Sequence, residues 1–243
     1  VKNNILFIYK IIIIKKIMNI LPKVSILTLT TYARDKFIPN IIQNVLKQDY
    51  PHELIEWLVI GDEDEFTIKK FKDEFKKINL IKCKYIKCGI SGDIGKKRNF
   101  ACKNASHKIL VNMDSDDFYQ PSYINYSVET LRNKKIGITG CRDMLIFYPK
   151  FRKMVMIRGS KIHEATMVFT LNHWKSFKFS SGMKAEGKTM VQGSYFNEMD
   201  IRKCMICLAH DSNSFDKTQF LDKSEVIFPD EQMDLLCNAF SGI

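Results

Sequence analysis

The side chains able to do chemistry in this sequence sit in a few short polar clusters. Asp114-Ser115-Asp116-Asp117 follows the continuous apolar run Ile109–Met113. Alternation along an extended chain turns residues 114 and 116 to the same side. Two carboxylates facing one way at the open end of a buried strand repel unless a cation joins them. Oxygen donors select hard cations such as Mg²⁺ or Mn²⁺, and Mg²⁺ takes one or two carboxylates together with phosphate oxygens and water. The spacing therefore suits a cation bound to a diphosphate. An acidic turn capping the next element has the same letters, so the cluster alone leaves both readings open.

A second cluster is the glycine-rich stretch Gly89-Ile90-Ser91-Gly92-Asp93-Ile94-Gly95, which runs into Lys96-Lys97-Arg98-Asn99. Glycines that lead into a basic helix start make an anion site, because unpaired N–H groups and the helix dipole favour negative charge there. Gly89 to Gly95-Lys96 is one residue too long for a P-loop, and Lys97 stands where Ser or Thr is needed. The dinucleotide fingerprint G-x-G-x-x-G is absent as well. A loop with a solvated basic face is the plain alternative. Two further clusters are Thr30, Thr31, Tyr32 and Arg34, and Asp62, Glu63, Asp64 and Glu65.

These clusters must be held by regular elements. Val24–Leu29, Ile55–Ile60, Ile81–Cys88 and Ile109–Met113 read as strands. Between them, Phe37–Gln48 carries apolar residues at helical spacing. Thr67–Ile78 places Ile68, Phe71 and Phe75 on one face, and Lys96–Ala105 reads as a third helix. Strands alternating with helices give β-α-β units, a parallel sheet and right-handed crossovers. In such sheets ligands bind beyond the carboxyl ends of the strands. All four polar clusters fall at that edge. After residue 120 the pattern weakens: Ile136–Thr139, Asp143–Tyr148, Lys153–Arg158 and Met205–Ala209 read as strands, and Asn172–Phe177 as a short helix.

Composition bounds the class. The chain has 243 residues, 45% of them hydrophobic, enough for a core without staples. Its 38 basic and 27 acidic residues give a net charge of +11, which favours polyanions in general. No aromatic-basic interleaving, helix-turn-helix or zinc-finger spacing accompanies that charge, so no nucleic-acid partner is expected. The seven cysteines form no disulfide framework, and Cys204-x-x-Cys207 lacks the second pair of a zinc site. Reduced thiols suit the cytoplasm. No apolar run reaches the roughly 18 residues of a membrane span. Residues 1–19, with Ile11–Ile14 between Lys10 and Lys15, read as a leader before Met18 or as a weak membrane-surface anchor, which leaves peripheral membrane association open.

Five segments in order resemble the family 2 glycosyltransferases of GT-A fold. They are Val24–Arg34, Val45–Pro51, Ile55–Asp62, Gly95–Asn99 and Val111–Asp117, and the good match covers about residues 22–125. The resemblance implies an α/β, Rossmann-like fold: a mostly parallel central sheet flanked by helices, with a smaller mixed β region in the C-terminal half. It implies one GT-A domain over residues 20–243, with 20–120 binding nucleotide and 121–243 binding acceptor. The implied reaction moves a sugar from a nucleotide-sugar, most often a UDP-sugar, to a hydroxyl of a carbohydrate, glycan or protein-glycan, with inversion. Mn²⁺ or Mg²⁺ is the implied cofactor. A non-catalytic nucleotide-sugar-binding scaffold and a nucleotidyltransferase are the alternatives.

Carried over by position, Thr31, Tyr32 and Arg34 would line the nucleotide pocket and Asp62 would accept hydrogen bonds from uracil. Lys97, Arg98 and Asn99 would flank the nucleotide. Asp114 would lie near ribose and metal, with Ser115 beside it, and Asp116 would be the direct metal ligand. Asp62-Glu63 departs from the Asp-Asp or Asp-Ser common in the family. Glu186 is the expected base, in an Ala185-Glu186-Gly187 stretch where Gly replaces a common second acid; Asp200 is its rival. His210 is the expected late metal ligand, with His163 a weaker competitor. Trp174, Tyr195 and Phe196 form either an acceptor wall or core, and loop 180–195 is the expected lid.

Overall fold

The structure is a computed structural model that describes residues 21–61, 64–132, 136–191, 195–213, 216–223, 225–227 and 230–240. The stretch 1–19 and Asp62 lie outside the described residues.

The first half follows the alternation of its sequence. Strands β1 (Val24–Leu29), β2 (Ile55–Gly61), β3 (Lys82–Lys87) and β4 (Ile109–Asn112) pair in parallel in the order β3-β2-β1-β4. Helix α1 (Ile38–Leu46) follows a 3-10 turn, has Pro39 in its first turn, and buries Ile38, Ile41, Ile42 and Val45 at helical spacing. Helices α2 (Glu65–Phe75) and α3 (Ile94–Asn104) are capped by Asp64 and Asp93, whose carboxylates accept the N–H of Thr67 and Lys96.

The second half departs from a purely parallel plan. Strand β5 (Phe118–Tyr119) and helix α4 (Tyr123–Arg132) precede β6 (Ile138–Gly140). Strands β7 (Asp143–Tyr148) and β8 (Lys153–Arg158) form a hairpin-like pair, and then β9 (Val168–Thr170) enters the central sheet antiparallel between β4 and β6. Helix α5 (Leu171–Ser176), strands β10 (Asn197–Glu198) and β11 (Met205–Leu208), and helix α6 (Asp230–Phe240) follow. The central sheet has seven strands, β10-β6-β9-β4-β1-β2-β3; β5, β11, β7 and β8 form a second, four-stranded mixed sheet. Among the described residues no helix is long and apolar enough to cross a membrane.

Strand alternation divides the core between the two faces of the central sheet. Val24, Ile26, Trp57, Val59 and Val111 pack on one face, and Leu27, Leu58, Ile60 and Leu110 on the other. Each such side chain contributes about 1.5–3 kcal/mol by leaving water. Trp57 is fully buried and donates its Nε1–H to Thr28 Oγ1 at 3.0 Å. At the amino-terminal edge of the strands, buried Glu56 accepts from Ser25 Oγ, Ser106 N and Ser106 Oγ, tying β1 and β2 to the approach to β4. The opposite edge carries the polar clusters.

Candidate active site

Strand β4 ends at Asn112, so Asp114–Asp117 lie on a turn rather than on the strand itself. A turn this buried needs partners for its backbone. Helix α1 supplies them: Asn40 and Asn44 each donate to the Asp117 carbonyl at 2.8 Å, and Asn44 Oδ1 accepts the Tyr119 N–H. Gln48 continues the row by donating to the Gln120 carbonyl and accepting the Ile124 N–H. Tyr119 Oη accepts the Asp114 N–H at 2.8 Å and donates to the Ala165 carbonyl. The acidic turn is thus fixed from below before any ligand arrives.

The four acidic-turn residues have separate fates. Asp114 takes a two-pronged grip from Arg98, with Nη1 to Oδ1 and Nη2 to Oδ2 both at 3.1 Å. Asp116 is 4% exposed; its Oδ1 meets Arg34 Nη1 at 3.0 Å and its Oδ2 meets His210 Nε2 at 2.9 Å. Burial would raise the Asp116 pKa. The His210 hydrogen bond and the charges of Arg34 and Lys217 outweigh it and hold the carboxyl well below the usual range. Asp117, also buried, accepts the Leu208 N–H. Burial pushes it up to about 7, against the pull of Lys217 and with the added push of Asp116 and Asp114. Ser115 is buried, and its hydroxyl has no hydrogen-bond partner among the described residues.

His210 is oriented by its own loop. Its Nδ1 accepts from Ser212 N and lies 2.9 Å from Ser212 Oγ, while its Nε2 faces Asp116 Oδ2 and, 2.7 Å away, the Asn213 amide nitrogen. Phe37, at the end of the turn before α1, packs against the imidazole with ring centroids 4.5 Å apart.

Glu186 enters from the other side. It sits in a 3-10 turn, is 5% exposed, and its Oε1 accepts from Arg98 Nε at 2.9 Å. One guanidinium therefore joins Asp114 to Glu186. The two carboxylates together raise the Arg98 pKa despite the opposing effect of burial. Removing one partner from a buried pair of this kind costs about 3–5 kcal/mol.

A cavity of about 900 Å³ opens over these groups at the carboxyl ends of the strands. Thr31, Arg34, Lys97, Arg98, Asp114, Asp116 and Glu186 all line it, together with the glycine loop 89–93. Other expected residues lie elsewhere. Tyr32 is 61% exposed and outside the lining. Asn99 faces the protein interior, where it donates to the Phe179 carbonyl and accepts from Trp174 Nε1 and Phe179 N. Trp174 is buried by that contact, Tyr195 is exposed, and Phe196 lies under the Arg142 guanidinium at 4.9 Å. Asp200 caps a 3-10 turn by accepting the Arg202 N–H.

The cavity also contains Glu164 and Lys217, to which sequence reasoning assigned no role, and His163, the weaker candidate for the late metal ligand. Glu164 accepts the Gly187 N–H, and burial and the Glu186 charge raise its pKa. His163 faces Cys207 Sγ at 3.5 Å and accepts the Ala165 N–H on Nδ1. Burial, with Lys217 nearby, pushes it down to about 4, so it is neutral at pH 7. Lys217 donates to the Leu208 carbonyl and stands 4.0 Å from Asp117. Glu164 and Lys217 carry no local motif. The amide row Asn40, Asn44 and Gln48, at a spacing of four along α1 and just past its end, was a readable signal of a polar partner.

The residues present fit a divalent cation at one edge. Asp116 Oδ2 and His210 Nε2 are 2.9 Å apart. Adjacent donors of an octahedral site with bonds of about 2.0–2.1 Å stand about 3 Å apart. Both Asp114 oxygens are engaged by Arg98, and no group of three His, Cys, Asp or Glu that could hold a metal ion exists among the described residues. An open site completed by phosphate and water matches this donor set.

Comparisons with known proteins agree with this architecture. The model of glycosyl transferase family 2 matches residues 27–196, and the chain belongs to that family. Poly(ribitol-phosphate) beta-N-acetylglucosaminyltransferase TarS of Staphylococcus aureus is 33% identical over 89 residues, 36% of this chain and 15% of that protein. The crystal structure of S. aureus TarS 1–349 with UDP-GlcNAc superposes with a TM-score of 0.62 at 16% identity, covering 79% of this chain and 60% of that one. The mannosyltransferase PcManGT of Pyrobaculum calidifontis, solved with GDP-Man and Mn²⁺, gives 0.61 at 14% identity, covering 80% and 59%. The chain thus spans less than two thirds of each of these relatives. The fold is the α/β fold of these structures, a mixed sheet flanked by helices.

Proposed function

We propose that this chain transfers a sugar from a nucleotide-sugar donor, a UDP-sugar, to an acceptor hydroxyl of a carbohydrate, glycan or protein-glycan, with inversion. One observation carries the reading: a single guanidinium, that of Arg98, links the acidic turn to Glu186 inside the cavity. Membership of family 2 supports the donor class, and the solved relatives bound to UDP-GlcNAc and to GDP-Man with Mn²⁺ support a sugar nucleotide and a divalent cation as ligands.

The donor's nucleotide would lie among Thr31, Arg34 and Lys97, with Asp62 as its base contact. Asp116 and His210 would hold Mn²⁺ or Mg²⁺, which when bound offsets the charge that builds on the departing diphosphate. Glu186 takes the proton of the acceptor hydroxyl. As it does so, a bond forms from the acceptor oxygen to the anomeric carbon, and the bond from that carbon to the diphosphate oxygen breaks. Attack from the face opposite the leaving group inverts the centre. The contribution of the chain is to hold the base and the donor-side acids at fixed separation, which is positioning work. Arg98 does this by binding both acids at once. The half 20–120 then serves the donor and the half 121–243 the acceptor.

The test is release of UDP from a panel of UDP-sugars with and without Mn²⁺. The expected result is Mn²⁺-dependent turnover that Glu186→Gln removes. Tight binding without any turnover would leave the chain a nucleotide-sugar-binding scaffold instead.

A further inference from the structure

The segment that carries Glu186 has a single 3-10 turn of its own, Glu186–Thr189. Residues 180–186 form a closed loop whose neck is fastened by Ser180 N and Ser180 Oγ, both donating to the Glu186 carbonyl at 2.9 and 3.1 Å. Met183, Lys184 and Ala185, at its tip, line the cavity. Ala185 is held at φ 53°, in the left-handed region that residues with a side chain seldom adopt.

Arg98 and Glu164 hold the base of this loop at Glu186 and Gly187, and one carboxylate on a distant element holds its Ser181-Gly182 side. Asp93 Oδ1 accepts the Lys96 N–H at 2.8 Å, the cap of α3, and also the Gly182 N–H at 3.0 Å. Its Oδ2 accepts the Ser181 hydroxyl and lies 3.4 Å from Lys96 Nζ. A backbone bond from Gly95 N to the Gly182 carbonyl, at 3.1 Å, completes the seam. The seam is tight: a Cβ on Gly95 would stand 1.8 Å from the Ser180 carbonyl oxygen. The Gly182 and Ser181 hydrogen bonds lead the effects that hold the Asp93 carboxyl well below its ordinary range.

The consequence is geometric. Arg98 lies one turn further along α3, and it is Arg98 that meets Glu186. Asp93 fixes the loop at the start of the same helix. The Arg98–Glu186 contact therefore has a second fastening point that lies outside the acidic turn. We propose that Asp93 is a positioning residue, a clasp that joins the Glu186 loop to the start of α3 and sets where the base stands. The inference rests on Glu186 as the base; the clasp itself does not.

Asp93→Ser separates the two duties of the carboxylate. Serine is a good N-cap, so α3 keeps its first turn, but its side chain is one atom too short to serve the loop as well. Asp93→Asn keeps an oxygen for Lys96 N and Gly182 N. Hydrogen exchange of the 178–190 segment and donor kinetics are measured for both. The expected result is faster exchange in Asp93→Ser with kcat down on the order of 10- to 100-fold, as misplacement of a catalytic group produces. Donor KM should move far less, and Asp93→Asn should stay near the unaltered protein in both readouts. Unchanged loop exchange in Asp93→Ser would overturn the clasp, and faster exchange with unchanged kcat would overturn its positioning role. If the unaltered protein turns over no sugar nucleotide, the functional reading fails, and the exchange comparison still decides the clasp.

Discussion

Arg98 and Asp114 meet fork to fork, with each of two guanidinium nitrogens 3.1 Å from its own carboxylate oxygen. The remaining nitrogen, Nε, is given to Glu186 at 2.9 Å. All three side chains are largely buried, so Arg98 is the charge balance of the site as well as its ruler.

Arg98→Ala leaves two acids without their counter-charge in a poorly hydrated place. The expected loss of stability is about 3–5 kcal/mol, measured by denaturant unfolding at pH 7. Arg98→Lys keeps the charge but cannot serve three oxygens from a planar fork. It should fold better than the alanine variant and still turn over donor poorly. Unfolding of Arg98→Ala within experimental error of the unaltered protein would show that the three-way contact carries no weight.

Glu186→Gln keeps the shape and can still accept from Arg98, but it cannot take a proton. Its kcat is expected to fall on the order of 10²- to 10⁴-fold, while UDP affinity changes by less than about threefold. Comparable losses in both would assign Glu186 to binding, and the base would have to be sought elsewhere, with Glu164 the next carboxylate in the cavity.

The first half of the fold was legible because β1, β2 and β4 are apolar runs and β3 alternates, with helices between them long enough to show their own period. The clusters at their ends then fell at one edge by topology alone. Strand β9 was not legible: three residues, Val168–Thr170, are too few to show a period, and their antiparallel direction is set by β4 and β6 on either side. Helix α4 was hidden by polar residues in its buried stripe, where Ser127 sits with its hydroxyl turned back to the Tyr123 carbonyl. Within the site, Asp114, Asp116 and Glu186 were readable as types at motif positions. Their pairing was not, because Arg98 reaches Glu186 across 88 residues and Asp116 reaches His210 across 94. Asn99 shares the stretch Lys97-Arg98-Asn99 yet turns inward, since Trp174 and Phe179 offer it three hydrogen bonds.

Asn44 tests whether the acidic turn is fixed from below. Asn44→Leu fills the same space but leaves the Tyr119 N–H, a buried donor, without its acceptor. A loss of about 1–3 kcal/mol is expected in equilibrium unfolding, with weaker UDP binding in the presence of Mn²⁺. Wild-type stability in this variant would mean that the turn finds its partners elsewhere.

His163 gives the site an acid limit. Its folded pKa of about 4 lies below the roughly 6.5 of an unfolded histidine. Between those values the unfolded chain binds a proton that the native protein refuses. Stability contributed by neutral His163 is therefore fully present above about pH 6.5 and is lost as pH falls toward 4. His163→Gln should flatten that part of the stability–pH curve, as measured by urea unfolding from pH 7 to pH 4.5. Parallel curves for the two proteins would remove His163 from the acid response.

The proposal that the acidic turn binds a nucleotide diphosphate through a divalent cation is tested most directly by calorimetric titration of UDP. The titration is run with and without Mn²⁺, on the unaltered protein and on Asp116→Ala. Binding that requires Mn²⁺ and disappears in Asp116→Ala is the expected result. UDP binding of equal strength in the absence of the cation, or in the presence of Mn²⁺ without Asp116, would contradict it.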